Sequence, residues 1–131
     1  MPVYRPHAYS QFNFLVDLGA GIGPHAGFQE LSVKKITGLN KATDVTLKRG
    51  VIASSALQDW LDQIRDGHKK ASRTVTIMMQ DEEHKITRTW KLLGARIIKQ
   101  VSEPLNAKGG GDVAMEELVL SSESLETAAM P

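Results

Sequence analysis

The stretch KITGLNKATDVTLKRGV, residues 35–51, decides the fold of this chain. It predicts two short strands around a glycine turn, with Ile36–Leu39 and Val45–Leu47 as the extended pieces. Gly38 and Gly50 are the predicted hinges, because glycine adopts the backbone conformations that turns require. The chain is therefore expected to fold back on itself as a meander of strands.

Strand patterns also lie on both sides of this stretch. Apolar residues alternate along Phe12–Leu18, which predicts a strand with Phe12 and its apolar neighbours on the core. Phe28–Val33 predicts a further extended piece. Further on, Val75–Met79 and Ile86–Leu92 predict an antiparallel hairpin that turns at Asp81–His84.

The end of the chain adds two more strand patterns. Gly94 interrupts a pattern that runs on to Val101, and a glycine at such a place is typical of a bulge or a corner between two packed sheets. Lys108–Asp112 predicts a glycine loop, and Val113–Leu120 predicts the last strand. The polar tail, residues 122–131, is expected to be partly disordered, or ordered only by a partner.

One segment has the period of a helix, predicted over about Ala56–Asp66. Ser55 and Gln58 have the spacing of a capping box, Asp59 complements the helix start, and Gly67 supplies the C-terminal stop. The apolar stripe consists of Leu57, Trp60, Leu61 and Ile64. The predicted fold is therefore mainly β, a small β-barrel or sandwich of antiparallel sheets flanked by one α-helix. It forms a single domain over residues 1–131 with an N-terminal arm, residues 1–10.

Composition limits the possible functions. The 131 residues include 16 basic and 15 acidic residues, for a formal net charge of +1, which disfavours a dedicated nucleic-acid binder. There is no cysteine, so neither disulfides nor thiolate chemistry can contribute. No stretch approaches the roughly 20 apolar residues of a membrane helix, and the first residues lack the apolar region of a secretory signal. We expect assembly in the cytoplasm without stable membrane association.

No motif predicts an enzyme, a cofactor or a metal. Gly19–Gly23 follows a strand, but its glycine spacing is wrong for dinucleotide binding, and Gly109–Gly111 lacks the lysine and hydroxyl residue that follow a phosphate loop. Glu82–His84 is interpreted as a solvated turn, because adjacent turn residues diverge rather than converge on one ion. No catalytic, cofactor-binding or metal-binding residue is proposed.

Glu116 is the most unusual residue of the last strand. In a regular strand it shares a face with Leu118 and Leu120, and a buried carboxylate needs a partner. Lys48 and Arg49 are the candidate partners, in a structural ion pair or at a subunit interface. The alternative, left open, is that a bulge turns Glu116 to solvent.

Several pieces of the chain together resemble the phage tail tube protein family, which forms the inner tube of contractile phage tails and contractile injection systems. The resemblance rests on the helix around Trp60, the strand containing Trp90, and the order of the pieces FNFLVDL, GFQE, ITGL, DVTLKRGV and VAMEELVL. It implies two roughly orthogonal antiparallel sheets flanked by a helix, a virion or particle component, and hexameric rings stacked into a tube. Leu31–Lys35 is shorter than in many relatives, which affects the predicted contacts between rings.

The resemblance also implies partners and a channel. The expected partners are further copies of the chain, sheath, baseplate and tube-terminator proteins, and a cargo effector or DNA in the lumen. Pairing of the sheet edges of neighbouring copies would close such a ring. The predicted lumen-lining residues are Thr74, Thr76, Thr87, Thr89 and Lys91.

Two other functions stay open from the sequence. One is a ring-forming carrier or chaperone of secreted effectors, resembling the type VI secretion tube protein. The other is a monomeric β-barrel binding module, which the low aromatic content of 5% disfavours. The sequence also leaves open whether the tube belongs to a phage or to a non-phage injection system.

Overall fold

The computed structural model describes Tyr9 and residues 11–19, 24–35, 43–67, 72–102 and 112–129. These residues form seven strands and one helix, so the predicted mainly β class with a single helix is confirmed. In chain order they are β1 (Phe14–Asp17), β2 (Ala26–Lys35), β3 (Thr43–Ala53), α1 (Ser54–Arg65), β4 (Arg73–Gln80), β5 (Ile86–Ser102), β6 (Asp112–Ser122) and β7 (Ser124–Ala129).

The strands form one antiparallel sheet that closes on itself. Its order is β4-β1-β2-β3-β6-β5, and β4 pairs in turn with β5, which completes a six-stranded barrel. β7 pairs with the first half of β5 and lies in line with β6. The two packed sheets expected from the sequence are thus parts of one continuous sheet that closes into a barrel.

The barrel interior is filled by the apolar face of each strand. Alternation along the strands directs one side chain in two inward, and burial of each large apolar side chain contributes about 1.5 to 3 kcal/mol. The largest fully buried side chains include Val16, Phe28, Leu47, Ile52, Val75, Ile77, Leu92, Leu118 and Leu120. α1 adds Leu57 and Trp60 to this core, with Leu61 and Ile64 packed against it, so the predicted stripe is confirmed.

The predicted start of the helix is wrong, whereas its predicted end is right. The N-cap is Ala53, no side chain caps the helix, and the first turn has no acidic residue, so Ser55 forms no capping box. The reason is that β3 runs directly into α1, which makes the last strand residue the cap. At the other end Gly67 has φ +66° and its N–H donates to the carbonyl of Ile64 at 3.2 Å.

Gly50 and Gly94, two of the three glycines in the described strands, act in different ways. Gly50 is not a hinge, because β3 continues through it and a side chain there would overlap the carbonyl of Gly27 and the ring of Phe28. Gly94 is the predicted bulge, with φ +64°, at a register shift between β4 and β5. The predicted strand Ile36–Leu39, which contains Gly38, and residues 108–111 of the predicted glycine loop lie outside the described residues.

The C-terminal tail is more ordered than the sequence predicts. Residues Ser124–Ala129 form β7 and pair with Arg88–Leu93 of β5, and Leu125 packs against the core. Partial disorder was predicted because the composition of the tail is polar. That prediction missed β7, which is held in place by pairing with β5, a strand distant in sequence.

Candidate interaction surface

The barrel closes over only part of its length. β1 pairs with β2 only along Ala26–Phe28, and the pairing of β4 with β5 ends at Ala95. Beyond these points β2, β3, β6 and β5 continue side by side. We call this continuation the open sheet, formed by Glu30–Lys35, Thr43–Lys48, Glu117–Ser122 and Arg96–Ser102.

The open sheet has two free edges within the described part of the chain. Glu30–Lys35 pairs with β3 on one side only, and Arg96–Ser102 pairs with β6 on one side only. An unpaired strand edge presents backbone donors and acceptors that can pair with another chain. The two edges lie at opposite margins of one sheet and have similar lengths.

Exposed apolar side chains coincide with these edges. Of the described residues, three large hydrophobic ones are exposed, namely Val33 at 39%, Ile98 at 56% and Val101 at 41%. Val33 lies on the β2 edge, and Ile98 and Val101 lie on the β5 edge. Single exposed apolar residues are ordinary, but their restriction to two unpaired edges favours a contact surface.

The structure turns Glu116 to solvent. Met115 and Leu118 are both buried, so the two residues between them, Glu116 and Glu117, point outward in succession. On the neighbouring strand Lys48 and Arg49 do the same, and Arg49 has φ +56°. Glu116 therefore does not share the face of Leu118 and Leu120, and the alternative of a local irregularity is correct.

The predicted cations have other partners. Lys48 Nζ lies 3.9 Å and Lys99 Nζ 2.8 Å from the carboxylate of Glu117, and Arg49 Nε lies 2.8 Å from Glu30. In the described residues no ion pair joins Glu116 to Lys48 or Arg49. The hydrogen bond from Lys99, with the charges of Lys99 and Lys48, lowers the pKa of Glu117 below its usual value.

Four of the five predicted lumen residues lie together on one face. Thr76 pairs with Lys91, Thr89 lies opposite Met78, and Thr74 continues the same side of β4, away from the buried Val75. Thr87 differs from these four, because it occupies a register irregularity and its hydroxyl donates to the Met79 carbonyl at 3.3 Å. Their role in a channel stays a prediction.

Phe12 does not join the core as predicted. A side chain on Gly27 would meet Phe12 at 2.6 Å and Tyr9 at 2.8 Å, which places both aromatic residues over the outer side of β2. The Tyr9 hydroxyl also donates to Asp112 at 2.8 Å. Beside Phe12 is a shallow depression of 310 Å³, lined by Phe12, Arg49, Gly50, Val51, Ala114, Met115 and Glu116. The sequence signal for this packing was Gly27, because a glycine on the outward face of a strand leaves room for other residues to pack over it.

The described residues include the Glu82–His84 turn, for which the sequence raised the question of a metal site. They contain no group of three or more His, Asp or Glu residues that could hold a metal ion. Asp81 instead holds the Glu82–His84 turn, because its carboxylate accepts the N–H groups of Glu83 and Lys85 at 2.8 and 3.0 Å. Within the same residues, no helix is long and apolar enough to cross a membrane.

A family model described as the T4-like virus tail tube protein gp19 matches residues 25–126. No curated protein sequence matches significantly. The fold is similar to the tube terminating cap of the anti-feeding prophage, with 16% identity, a TM-score of 0.56, and 99% of this chain and 95% of that chain covered. It is also similar to a chain of the extended sheath-tube complex of PVC, an extracellular contractile injection system, with 20% identity, a TM-score of 0.55, and coverage of 99% and 92%. For a mutant Hcp1 protein of the E. coli EAEC 042 pathovar, identity is 10%, the TM-score is 0.50, and coverage is 91% and 99%.

Proposed function

The chain belongs to the family of the T4-like virus tail tube protein gp19, and on that basis we propose that it is a structural subunit of the inner tube of a contractile injection system or contractile phage tail. Copies form hexameric rings, and the rings stack around a lumen through which cargo passes. The subunit acts by assembly rather than by catalysis.

The observation that carries this proposal is the open sheet with its two free edges. If the β2 edge of one copy pairs with the β5 edge of the next, the sheet continues from copy to copy. Such a contact is heterologous, because two different surfaces meet, and repetition of a heterologous contact closes a ring when the rotation allows it. Val33, Ile98 and Val101 lose their exposure to water in the same step.

The proposed partners follow from the tube. Sheath surrounds it, and baseplate and tube-terminator proteins meet its two ends. The fold likeness to chains of a sheath-tube complex and of a terminating cap supports this assignment. The cargo is an effector or DNA, and the subunit assembles in the cytoplasm before it becomes part of a tail or particle. Thr74, Thr76, Thr87, Thr89 and Lys91 are proposed to line the channel.

The edge pairing is tested by placing a charge on one edge. Ile98→Lys puts an ammonium at the proposed contact, where it would lose its hydration. We expect wild-type protein to form rings or tubes in negative-stain electron microscopy and a large species by light scattering after size exclusion. The variant should elute as a folded monomer with an unchanged circular dichroism spectrum.

The control is Glu82→Lys, which places a lysine at the exposed turn between β4 and β5. It should assemble as the wild type does. If Ile98→Lys assembles normally, the β5 edge is not the contact. If the wild type remains monomeric at high concentration, the tube itself is refuted, so the two failures are distinguishable.

A second candidate is a ring-forming carrier of secreted effectors. The fold is similar to that of Hcp1, with a TM-score of 0.50, and a tube-type fold is compatible with either function. A carrier would work as an isolated ring that retains effector, whereas a tube subunit would stack. Micrographs with rings that never stack, together with co-purification of an effector, would favour the carrier.

A further inference from the structure

His25 joins three parts of the fold through its backbone and its ring. It directly precedes β2, its N–H donates to the Val16 carbonyl at 2.8 Å, and its carbonyl accepts the N–H of Ala53 at 2.8 Å. The ring nitrogen Nδ1 accepts the N–H of Leu18 at 3.1 Å. A ring nitrogen that accepts a hydrogen bond is unprotonated, so this geometry requires neutral imidazole.

Leu18 is also linked to β4 and α1 through Arg73. Arg73 donates to the Leu18 carbonyl at 3.3 Å and to the side-chain oxygen of Gln63 on α1 at 2.7 Å. The same guanidinium lies 5.2 Å from the centre of the Trp60 ring. Leu18 is fully buried. Its peptide groups therefore connect His25 on one side with the helix and β4 on the other.

The charges around His25 are opposed. On β1, the Asp17 carboxylate lies 3.8 Å from Nδ1 and accepts the N–H of Gly19 at 2.8 Å. The cationic Arg73 of β4 acts on His25 through its charge, and Asp59 of α1 acts on Arg73 in the same way. Burial lowers the pKa of His25, Asp17 raises it and Arg73 lowers it again, with a net lowering.

We propose that His25 is an acid-sensitive latch that holds β1, α1 and β4 together only while its imidazole is neutral. After protonation Nδ1 can only donate, so it releases the Leu18 N–H and turns toward the Asp17 carboxylate. The buried Leu18 N–H loses its partner, and the imidazolium repels Arg73. The contacts that link β1 to β4 and α1 through Leu18 and Arg73 are thereby weakened.

The direction of the pH effect follows from linkage. The pKa of His25 is lower in the folded state than its unfolded value of 6.5. As pH falls below the unfolded value, the unfolded chain binds the proton first, so stability declines until the folded pKa is passed. The latch thus stabilises the protein at neutral pH and loses that contribution in mild acid. If the protein forms a tube, which rests on the proposed function, its subunits are less stable in mild acid than at neutral pH.

The matched control variant is His25→Asn. The side-chain oxygen of asparagine occupies the position of Nδ1 and can accept the Leu18 N–H, but it does not titrate. Urea unfolding is measured at about pH 7.5 and about pH 5.5, on either side of the ordinary histidine pKa. We expect the wild-type midpoint to fall clearly between the two, and the variant midpoint to change less. Equal losses in both proteins would overturn the proposal.

Two further measurements test the contacts around Leu18 directly. The protection factor of the Leu18 amide against hydrogen exchange should be high at the higher pH and should fall at the lower pH more than the protection factor of the Phe28 amide. In Asp17→Asn, which keeps the acceptor for Gly19 but removes the charge, the folded-state pKa of His25 should fall further, so the stability loss should extend to lower pH and become larger. An unchanged Leu18 protection factor, or a smaller acid-induced stability loss in Asp17→Asn than in the wild type, contradicts the latch.

Discussion

At Gly50 and Glu116 the local sequence pattern predicts the wrong structure. Gly50 looks like a turn residue, yet its absent side chain allows β3 to pack closely against Gly27 and Phe28. Glu116 looks inward by alternation, yet two successive outward residues place it in solvent. Both deviations arise from contacts with neighbouring strands, which the local sequence does not encode. Gly67 and Gly94, by contrast, were predictable, because each has the positive φ that favours glycine.

A substitution at Gly50 tests its packing role. Gly50→Ala should destabilise the protein by about 1 to 3 kcal/mol, because the methyl group overpacks a site with no free space. Chemical denaturation measures the loss. Gly67→Asn is the control, since nothing lies within 4 Å of its added side-chain carbon and asparagine tolerates a positive φ. An equal or larger loss in the control would refute close packing as the reason for Gly50.

Elements with a strong repeating pattern were predicted well, and their ends were predicted poorly. The stripe of α1 gave both the helix and its buried face. The N-terminal boundary was missed because β3 enters the helix without a break, so the first turn carries no side-chain cap. β7 was missed because its strand conformation comes from pairing with β5, for example of Glu126 with Lys91, rather than from its own polar sequence.

The uncapped helix offers room for stabilisation. Ala53 has φ −62° and ψ 125°, the extended conformation of an N-cap residue. Ala53→Ser should therefore raise the free energy of unfolding by about 1 kcal/mol, because the new hydroxyl can accept an N–H of the first turn. Thermal and urea denaturation measure the gain. Ser55→Ala should have little effect, whereas a marked loss in Ser55→Ala would support the capping box instead.

The whole molecule combines a closed barrel with an open sheet. The sequence predicted the fold class and antiparallel pairing, but not the site, because the free edges depend on where β1 and β4 stop pairing. Val33, Ile98 and Val101 look like ordinary strand residues, and only the topology shows that their strands have no partner there among the described strands. The sequence predicted an ion pair between Glu116 and Lys48 or Arg49, whereas in the structure Lys48 contacts Glu117 and Arg49 contacts Glu30.

Assembly should also appear in the stability of the whole protein. If copies bind only through folded edges, mass action makes the melting temperature rise with protein concentration. We expect this rise in the wild type and expect it to be lost in Ile98→Lys. Scanning calorimetry over a wide concentration range measures both. A wild-type melting temperature independent of concentration, with rings present, would mean that assembly does not require the folded edge.

β5 runs through both halves of the molecule, with 17 residues and a length of about 55 Å. Its first half is held by β4 and β7, and its second half carries the proposed contact edge. A force on that edge along the strand axis therefore loads many hydrogen bonds in shear at once. It does not break them one after another. Gly94, in the middle of β5, is the compliant point at which such a load would first deform the subunit.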